Sequence, residues 1–359
     1  MLASEARKLR RSHHDHLGWG AIESVPTVEQ SWDCRPCRPA GRMGEADAGG
    51  EEGKAVARHR DLGADLREVV ADSTVVVTGA SSGIGEATAR MLGAAGARTV
   101  LVARSKDRLE ALRHEIEAAG GRACPHPADL SDVAAVAQLV ESVRTCHGDV
   151  DVIVNNAGHS IRRSIALSSN RFHDFERTID VNYLGPVRLV LGVLPGMRER
   201  RRGHILNISS LGVLFSAPRF SAYLASKSAF ESFLRCIAPE ISGDGVAVTN
   251  IYMPLVHTPM VEATRVYRLL PGLTAEEAAE RICRAVVERP SRVAPPLGLM
   301  GRLLADAAPA PFDGLLRLTY RWSGDSSAAR GEDSDELEAP AFAQGLLRRL
   351  ERRTSRREG

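Results

Sequence analysis

Two residues four positions apart, Tyr223 and Lys227, are well suited to proton transfer. On a helix, this spacing places both side chains on one face, within a turn of each other. A free phenol has a pKa of about 10, and lowering it by roughly 3 units requires about 4 kcal/mol of differential stabilisation, which a nearby cation favours. We therefore predict that Lys227 lowers the pKa of Tyr223 and that Tyr223 protonates a carbonyl oxygen. Ser210 is predicted to hydrogen-bond the same oxygen.

A glycine-rich run joins an apolar, β-branched stretch, Thr74 to Val77, to a helix-forming segment that starts at Glu86. This order of strand, turn and helix exposes backbone N–H groups at the positive end of a helix, and glycines let a pyrophosphate approach them. We expect a dinucleotide to bind here. The residues predicted to hold it are Gly79, Ser81, Ser82, Gly83, Ile84 and Gly85.

The end of the second predicted strand indicates which dinucleotide binds. Ala103 and Arg104 stand there in place of a carboxylate, which would bind the adenosine ribose 2′-hydroxyl and repel a 2′-phosphate. An arginine favours the phosphate, and Ser81 can add a hydrogen bond to it. We therefore predict NADPH/NADP in preference to NAD. The positive charge of the oxidised nicotinamide is predicted to act with Lys227 in lowering the pKa of Tyr223. The alternative role for Arg104 is a solvated charge at the start of a helix.

Three further motifs follow the glycine-rich turn in a characteristic order. They are Asn-Asn-Ala-Gly at 155–158, Asn182, and the Tyr223 and Lys227 pair with Ser210 thirteen positions upstream. An isolated tyrosine–lysine pair also fits an ordinary surface contact, but in this setting an active site is favoured. In order and spacing, residues 72–296 resemble the short-chain dehydrogenase/reductase family. The resemblance implies an NAD(P)-dependent oxidoreductase whose catalytic residues are Asn182, Ser210, Tyr223 and Lys227.

The resemblance also implies individual roles for several residues. It places Asn182 at a water of the proton relay, Lys227 at the nicotinamide ribose, Asp129 at the adenine edge and Thr258 at the nicotinamide carboxamide, with Asn155 and Ala157 at the cofactor. Leu255 stands where many members have glycine, so we expect a different loop path before Thr258. The long helices around Asn182 and Tyr223 resemble those that pair subunits in this family, which implies a homo-oligomer.

Four stretches indicate a substrate class. They resemble bacterial, especially actinobacterial, long-chain fatty acyl-CoA reductases: NNAGHSIRRS at 155–164, RFHDFERTIDVN at 171–182, PRFSAYLASK at 218–227 and IYMPLVHTPM at 251–260. This resemblance implies a small-molecule or lipid carbonyl substrate, a long-chain acyl-CoA or fatty aldehyde. The alternatives are a reductase or dehydrogenase of small ketones or hydroxylated lipids, and a non-catalytic NADPH-binding sensor. Arg162 and Arg163 are expected either to meet a phosphate-bearing substrate or to lie in a solvated loop.

The elements that position these residues alternate along the chain. Apolar runs occur near Thr74, Arg98, Ala123, Val150, His204, Val246 and Arg292, with helix-forming segments between them, including 171–194 and 221–241. Continuous apolar runs are typical of parallel strands covered by helices on both faces. We therefore predict an α/β fold, a single doubly wound Rossmann domain of about seven parallel strands.

The predicted catalytic domain spans residues 72–296 and leaves two ends of the chain outside it. Residues 1–71 are expected to be a disordered leader, and 323–359 a flexible, charged tail. Residues 297–322 form an apolar segment expected to cover a long-chain substrate, to lie against a membrane surface, or to pack on the core or a neighbouring subunit.

Composition excludes several classes of partner. The net charge of +2 gives no electrostatic basis for binding nucleic acid.

No signal peptide and no run of 18 apolar residues is visible, so we expect a cytoplasmic protein, with contact at a membrane surface as the alternative. Cys34 and Cys37 follow His13, His14 and His16, but no second ligand pair has compatible spacing, and we predict no metal site.

Overall fold

The computed structural model describes residues 61–262 and 270–322, together with residues 324, 325 and 329. The strands are β1 (Thr74–Thr78), β2 (Arg98–Ala103), β3 (Arg122–Pro127), β4 (Val152–Asn155), β5 (Gly203–Ser210), β6 (Val246–Met253) and β7 (Arg292–Val293). The first helices are α1 (Leu62–Val70), α2 (Gly83–Ala94), α3 (Lys106–Ala118), α4 (Val133–His147), α5 (Phe172–Ile179) and α6 (Gly185–Glu199). They are followed by α7 (Ser221–Ser242), α8 (Pro259–Glu262), α9 (Ala275–Glu288), α10 (Pro296–Ala307) and α11 (Pro309–Trp322).

The seven strands form one sheet in the order β3-β2-β1-β4-β5-β6-β7, and every neighbouring pair is parallel. Because side chains alternate across a strand, Val75 and Val77 of β1 join the core beneath α1, α2, α3 and α9, whereas Val76 joins the core beneath α4, α6 and α7. The predicted doubly wound fold with seven parallel strands is confirmed.

The strand order reverses beside β1, which lies between β2 and β4. The two halves of the sheet wind away from this point in opposite directions. In open α/β sheets, ligands bind in the crevice outside the carboxyl ends of the strands at such a switch point. The glycine-rich turn after β1 lies at that end of the sheet, so the topology places a ligand site where the sequence predicted one.

One boundary of the predicted leader is wrong. The part of the leader that the structure describes contains α1, whose Leu66 and Val70 are 1% and 0% exposed in the core. Asp61 caps this helix by accepting a hydrogen bond from Gly63 N at 3.0 Å. Its apolar residues Leu62, Leu66, Val69 and Val70 recur at helical spacing, so the sequence carried a signal for this helix that our reading of a charged stretch missed. The remainder of the leader, including Cys34, Cys37 and the three histidines, lies outside the described residues.

The predicted apolar segment is a pair of helices, α10 and α11. We name α10, α11 and residues 324, 325 and 329 the C-terminal arm. The arm packs through α10 onto the short turn Leu211–Leu214, so closely that a Cβ at Gly298 would collide with Leu211. Its outer surface is apolar, with Leu297 80% and Leu303 62% exposed. Among the described helices, none combines the length and apolarity that crossing a membrane requires.

Candidate active site

The glycine-rich turn after β1 is shaped by close backbone approach. Gly79 has a φ of +68°, and a Cβ there would lie 2.9 Å from Ala157 Cα. A Cβ at Gly85 would collide with the carbonyl oxygen of Gly79. Ser82, at the N-terminus of α2, makes no side-chain capping bond, so it leaves the backbone N–H groups of the first turn to other acceptors. The turn is therefore an anion site of the kind that a pyrophosphate requires.

The turn is held against β4 by the asparagine that follows that strand. Asn156 Nδ2 donates to Thr78 O at 3.0 Å, and Asn156 N donates to Thr78 Oγ1 at 3.0 Å. Asn155, the residue predicted to bind the cofactor, is instead 3% exposed, and its Nδ2 donates to Leu206 O at 3.3 Å inside the sheet. Because successive residues of a strand point to opposite sides, the second asparagine of the motif faces the cavity and the first does not.

The end of β2 carries positive charge beside the cavity. Arg104 follows Ala103 there, and Arg108 of α3, four positions on, lines the same wall. Burial alone would raise the pKa of Asp129, but hydrogen bonds from the Ser131 backbone and hydroxyl and the charge of Arg104 outweigh it and lower that pKa. The region thus holds two cations and one ionised carboxylate.

The predicted proton donor and its partner meet in the cavity wall. Tyr223 of α7 is hydrogen-bonded to Ser210 at the end of β5, and Ser210 Oγ also accepts from Gly212 N at 3.2 Å. Burial raises the pKa of Tyr223 to about 12, and the hydrogen bond with Ser210 only partly opposes this. The phenol is therefore protonated across the neutral range.

This result corrects the part of the prediction that concerns Lys227. Lys227 alone does not lower the pKa of Tyr223, which is raised, and the further effect of an oxidised nicotinamide stays a prediction. Lys227 is 5% exposed, and its Nζ donates to Ile208 O at 2.9 Å, so the ammonium group is held by the backbone of β5. Burial lowers the pKa of Lys227 to about 8. Desolvation of both groups outweighs the attraction that spacing alone suggested.

Asn182 lies in a π-helical turn, Asp180–Leu184, between α5 and α6. The predicted helix over 171–194 is thus interrupted, and such turns are frequent at functional sites. Asn182 Oδ1 accepts from His159 N at 2.7 Å, and Nδ2 donates to His159 O at 3.0 Å and to Ser226 Oγ at 2.9 Å. Asn182 thereby fixes the loop after β4 to α7. Its role at a water of the proton relay stays a prediction.

One cavity of about 1050 Å³ joins the turn, the β2 end and the catalytic side chains. The predicted residues that line it are Gly79, Ser81, Ser82, Gly83, Ile84, Arg104, Asp129, Ala157, Ser210, Tyr223, Lys227 and Thr258. Gly85, Asn155 and Asn182 lie behind its wall. Sequence reasoning missed Arg108 and Asn156, although the spacing from Arg104 and the repeated asparagine were signals for them.

The loop before Thr258 is held by backbone hydrogen bonds, and its expected difference in path from other family members stays a prediction. His257 N donates to Leu273 O and Leu273 N donates to Leu255 O, each at 2.9 Å, so the loop pairs with a later segment. This pairing orders the chain where Leu255 replaces glycine. Thr258 still lines the cavity, near the N-terminus of α2.

The mouth of the cavity is occupied by the C-terminal arm. Arg162 donates to Gly324 O at 2.7 Å, and Arg163 bonds Asp174 at 3.0 Å as well as Ala329 O. The two arginines are half-buried rather than in a solvated loop, and both line the cavity, so their contact with a phosphate-bearing substrate stays a prediction. Ala329, 5% exposed, lines the cavity.

A second set of contacts holds the arm beside α7. Asp325 Oδ1 accepts from Ser164 N at 2.9 Å and from Arg219 Nε at 3.2 Å. Arg219 also stacks on Tyr320, 4.2 Å from the ring centre, and donates to Tyr320 O at 3.1 Å. The described residues of the predicted flexible tail are thus packed against the core.

The residues present fit a dinucleotide. The turn after β1 has space that a Cβ would fill, α2 offers uncapped N–H groups, and two arginines stand where an adenosine phosphate would lie. Gly79, Ser81, Ser82 and Gly83 would hold the pyrophosphate, and Lys227 and Thr258 the nicotinamide half. When bound in its reduced form, such a cofactor supplies a hydride.

Comparison with known proteins agrees with this site. The family model for short chain dehydrogenases matches residues 73–267. A fatty acyl-CoA reductase of Acinetobacter baylyi is 46% identical over 274 residues, which cover 76% of this chain and 93% of that protein. A fatty acyl-CoA reductase of Mycobacterium tuberculosis is 46% identical, covering 68% of this chain and 83% of that protein.

A solved structure gives the same result. The crystal structure of a metagenomic short-chain oxidoreductase in complex with NADP aligns with a TM-score of 0.56 and 32% identity, covering 63% of this chain and 98% of that chain. The fold, the predicted catalytic residues Ser210, Tyr223 and Lys227 at one cavity, and these similarities agree. The chain belongs to the short-chain dehydrogenase family and is an NAD(P)-dependent oxidoreductase that acts on small-molecule carbonyl substrates.

Proposed function

We propose that this protein uses NADPH to reduce a long-chain acyl-CoA or fatty aldehyde. The observation that carries the proposal is the apolar C-terminal arm, which is held at the mouth of the cavity whose wall contains Ser210 and Tyr223. Two relatives named fatty acyl-CoA reductases, each 46% identical, support the same substrate class.

The protein's own residues account for the proton. Tyr223, protonated at neutral pH, gives its proton to the carbonyl oxygen as that oxygen becomes negative, and Ser210 donates a hydrogen bond to the same oxygen. With a thioester, the resulting hemithioacetal breaks its carbon–sulfur bond to release an aldehyde and the CoA thiol. With an aldehyde, the same proton transfer completes an alcohol.

Apolar side chains make the part of the cavity beyond the catalytic pair suitable for an acyl chain. Phe215, Phe220, Leu211 and Met260 line it, together with Ala329 from the arm. Each buried methylene of a substrate contributes about 0.8 kcal/mol, so a long chain gains affinity here that a short chain lacks. The exposed leucines of α10 support a contact with a lipid surface, from which long-chain substrates could enter.

The preference for NADPH rests on charge at the end of β2. Arg104 and Arg108 both line the cavity, and no carboxylate occupies the strand end at Ala103. Two guanidinium groups attract a 2′-phosphate, whereas the ribose hydroxyl of NADH gives them no anion to bind. The predicted homo-oligomer and cytoplasmic location are retained as parts of the proposal.

A substrate panel tests the proposal. NADPH oxidation is measured with hexadecanoyl-CoA, hexadecanal and cyclohexanone, with Tyr223→Phe as the matched background for each. We expect turnover of the first two substrates and little of the third. Turnover of cyclohexanone alone would replace the proposal with a small-ketone reductase, and tight NADPH binding without any turnover would indicate a sensor.

A further inference from the structure

A cysteine and two histidines meet at the edge of the sheet opposite to β7. Cys124 and His126 alternate along the edge strand β3, and His147 is the last residue of α4. The thiol sulfur and one nitrogen of each imidazole all lie within 4.8 Å of one another. None of the three residues lines the catalytic cavity. Among the described residues, this is the one such group of three potential metal ligands.

The local structure explains why the three side chains converge. Because side chains alternate along a strand, Cys124 and His126 project from the same face of β3, while Ala123 joins the core on the other face. The end of α4 is fixed because His147 O accepts hydrogen bonds from Arg98 Nη1 at 3.3 Å and Thr74 Oγ1 at 3.5 Å. The imidazole of His147 is thereby held facing that of His126.

The two imidazoles face each other in a geometry that suits a shared ion. His126 Nε2 lies 3.1 Å from His147 Nε2. Two nitrogens bound to one tetrahedral zinc ion at their usual bond lengths lie about 3.3 Å apart. The other nitrogen of His126, Nδ1, lies 3.4 Å from Ser142 Oγ. A proton on Nδ1 would be bound by that hydroxyl and would leave Nε2 as the ligand, as partners of metal-bound histidines do.

Both imidazoles are buried, since His126 and His147 are 1% and 9% exposed, and each offers one nitrogen to the shared space. The thiol of Cys124 would release its proton on binding a metal.

We propose that Cys124, His126 and His147 bind a zinc ion that ties the edge strand β3 to the end of α4. Soft thiolate and imidazole ligands together favour zinc over magnesium or calcium. With three protein ligands, the fourth tetrahedral position is left for water. This proposal replaces our expectation from the sequence of no metal, since a Cys-x-His pair and a histidine 21 positions later have no familiar ligand spacing.

Metal analysis of the full-length chain tests the proposal. The protein is produced in zinc-supplemented medium, purified without chelator, and analysed for zinc by mass spectrometry. We expect one zinc ion per chain in the wild type and in the control Cys236→Ser, which changes an exposed cysteine elsewhere. Cys124→Ser and His147→Asn should lose the zinc yet keep wild-type NADPH affinity, because the cluster does not line the cavity.

A measurement on the wild type avoids reliance on variants that fold poorly. Cobalt(II) added to metal-free protein should produce tetrahedral absorption bands and a thiolate-to-cobalt charge-transfer band, and zinc should abolish both. Failure of the wild type to retain zinc or to give these bands would overturn the proposal. Zinc content unchanged in Cys124→Ser and His147→Asn would also overturn it, because the metal would then lie elsewhere.

Discussion

The two sides of the cavity are built in different ways. On the cofactor side, the turn after β1, the end of β2 and the end of β4 meet through neighbouring strands, and each is formed by a short continuous stretch. At the mouth, Arg162 and Gly324 are 162 positions apart, and Arg219 and Asp325 are 106 apart. Short stretches therefore supply the predicted cofactor-binding residues, whereas contacts between distant residues shape the mouth of the cavity.

The cause of the pKa shifts also differs between the two sides of the cavity. Desolvation dominates at the catalytic pair, where it raises the pKa of Tyr223 and lowers that of Lys227. At the mouth, charges are paired: burial alone would raise the pKa of Asp325, but hydrogen bonds from Ser164 and the charge of Arg219 lower it. Substitutions on the two sides should accordingly have different effects, the first on turnover and the second on substrate choice.

The largest effect should come from removing the phenol alone. We expect Tyr223→Phe to reduce turnover by about a hundredfold or more, because general acids typically contribute that much. NADPH affinity should stay nearly unchanged, since the ring remains. Steady-state kinetics and fluorescence titration measure the two quantities. Retention of more than about a tenth of the turnover would show that another group donates the proton.

A reversal of charge at the end of β2 should change the cofactor. The wild type should bind NADPH at least tenfold more tightly than NADH, a difference of about 1.4 kcal/mol, and Arg104→Asp should reverse this order. Arg108→Ala, which leaves Arg104 in place, should weaken the preference without reversing it. Equal binding of the two cofactors by the wild type would contradict the assignment.

The pH dependence should distinguish Lys227 from Tyr223. Burial places the pKa of Lys227 at about 8, so its positive charge is present below that pH and is lost as the pH rises through it. We expect turnover to fall up to about tenfold for each unit above this pKa, while Tyr223 stays protonated. A melting curve recorded over the same range serves as the control. A constant rate up to pH 10 would exclude a role for the ammonium charge.

Loosening the arm should have the smallest and most selective effect. Asp325→Ala removes the acceptor for Ser164 N and Arg219 Nε without changing the catalytic pair. We expect KM to rise about threefold to tenfold for a long-chain substrate, equivalent to about 0.7–1.4 kcal/mol, with little change for a short one. Asp306→Ala, at an exposed carboxylate of α10, is the matched control. An equal increase for both chain lengths would show that the arm does not contact the acyl chain.

Much of the catalytic side could be predicted from the sequence because its signals are local. The Tyr223 and Lys227 spacing, the glycine-rich turn and the apolar strand runs led to the confirmed fold and family. The sequence could not show whether Asn155 or Asn156 faces the cavity, because the pleat of the strand decides which of the two side chains does. The raised pKa of Tyr223 was missed, since desolvation depends on the packed environment.

The remaining features depend on residues far apart in the chain. The π-helical turn at Asn182 has no apolar pattern that separates it from the helices on either side. The contacts of Arg162 with Gly324 and of Arg163 with Ala329 could not be predicted, because these acceptors lie more than 150 positions away in the chain. Charge at one position reveals little about its partner until the fold is known.

The most direct test of the account is the chain-length dependence of NADPH-dependent reduction. The kcat/KM of the wild type is measured for hexadecanoyl-CoA and octanoyl-CoA under identical conditions below their aggregation thresholds. We predict a value at least tenfold higher for the longer substrate, because its eight additional carbons gain about 0.8 kcal/mol each where the cavity buries them, less the cost of ordering the chain. Equal values, or a preference for the shorter substrate, would contradict a cavity that receives a long acyl chain beneath the C-terminal arm.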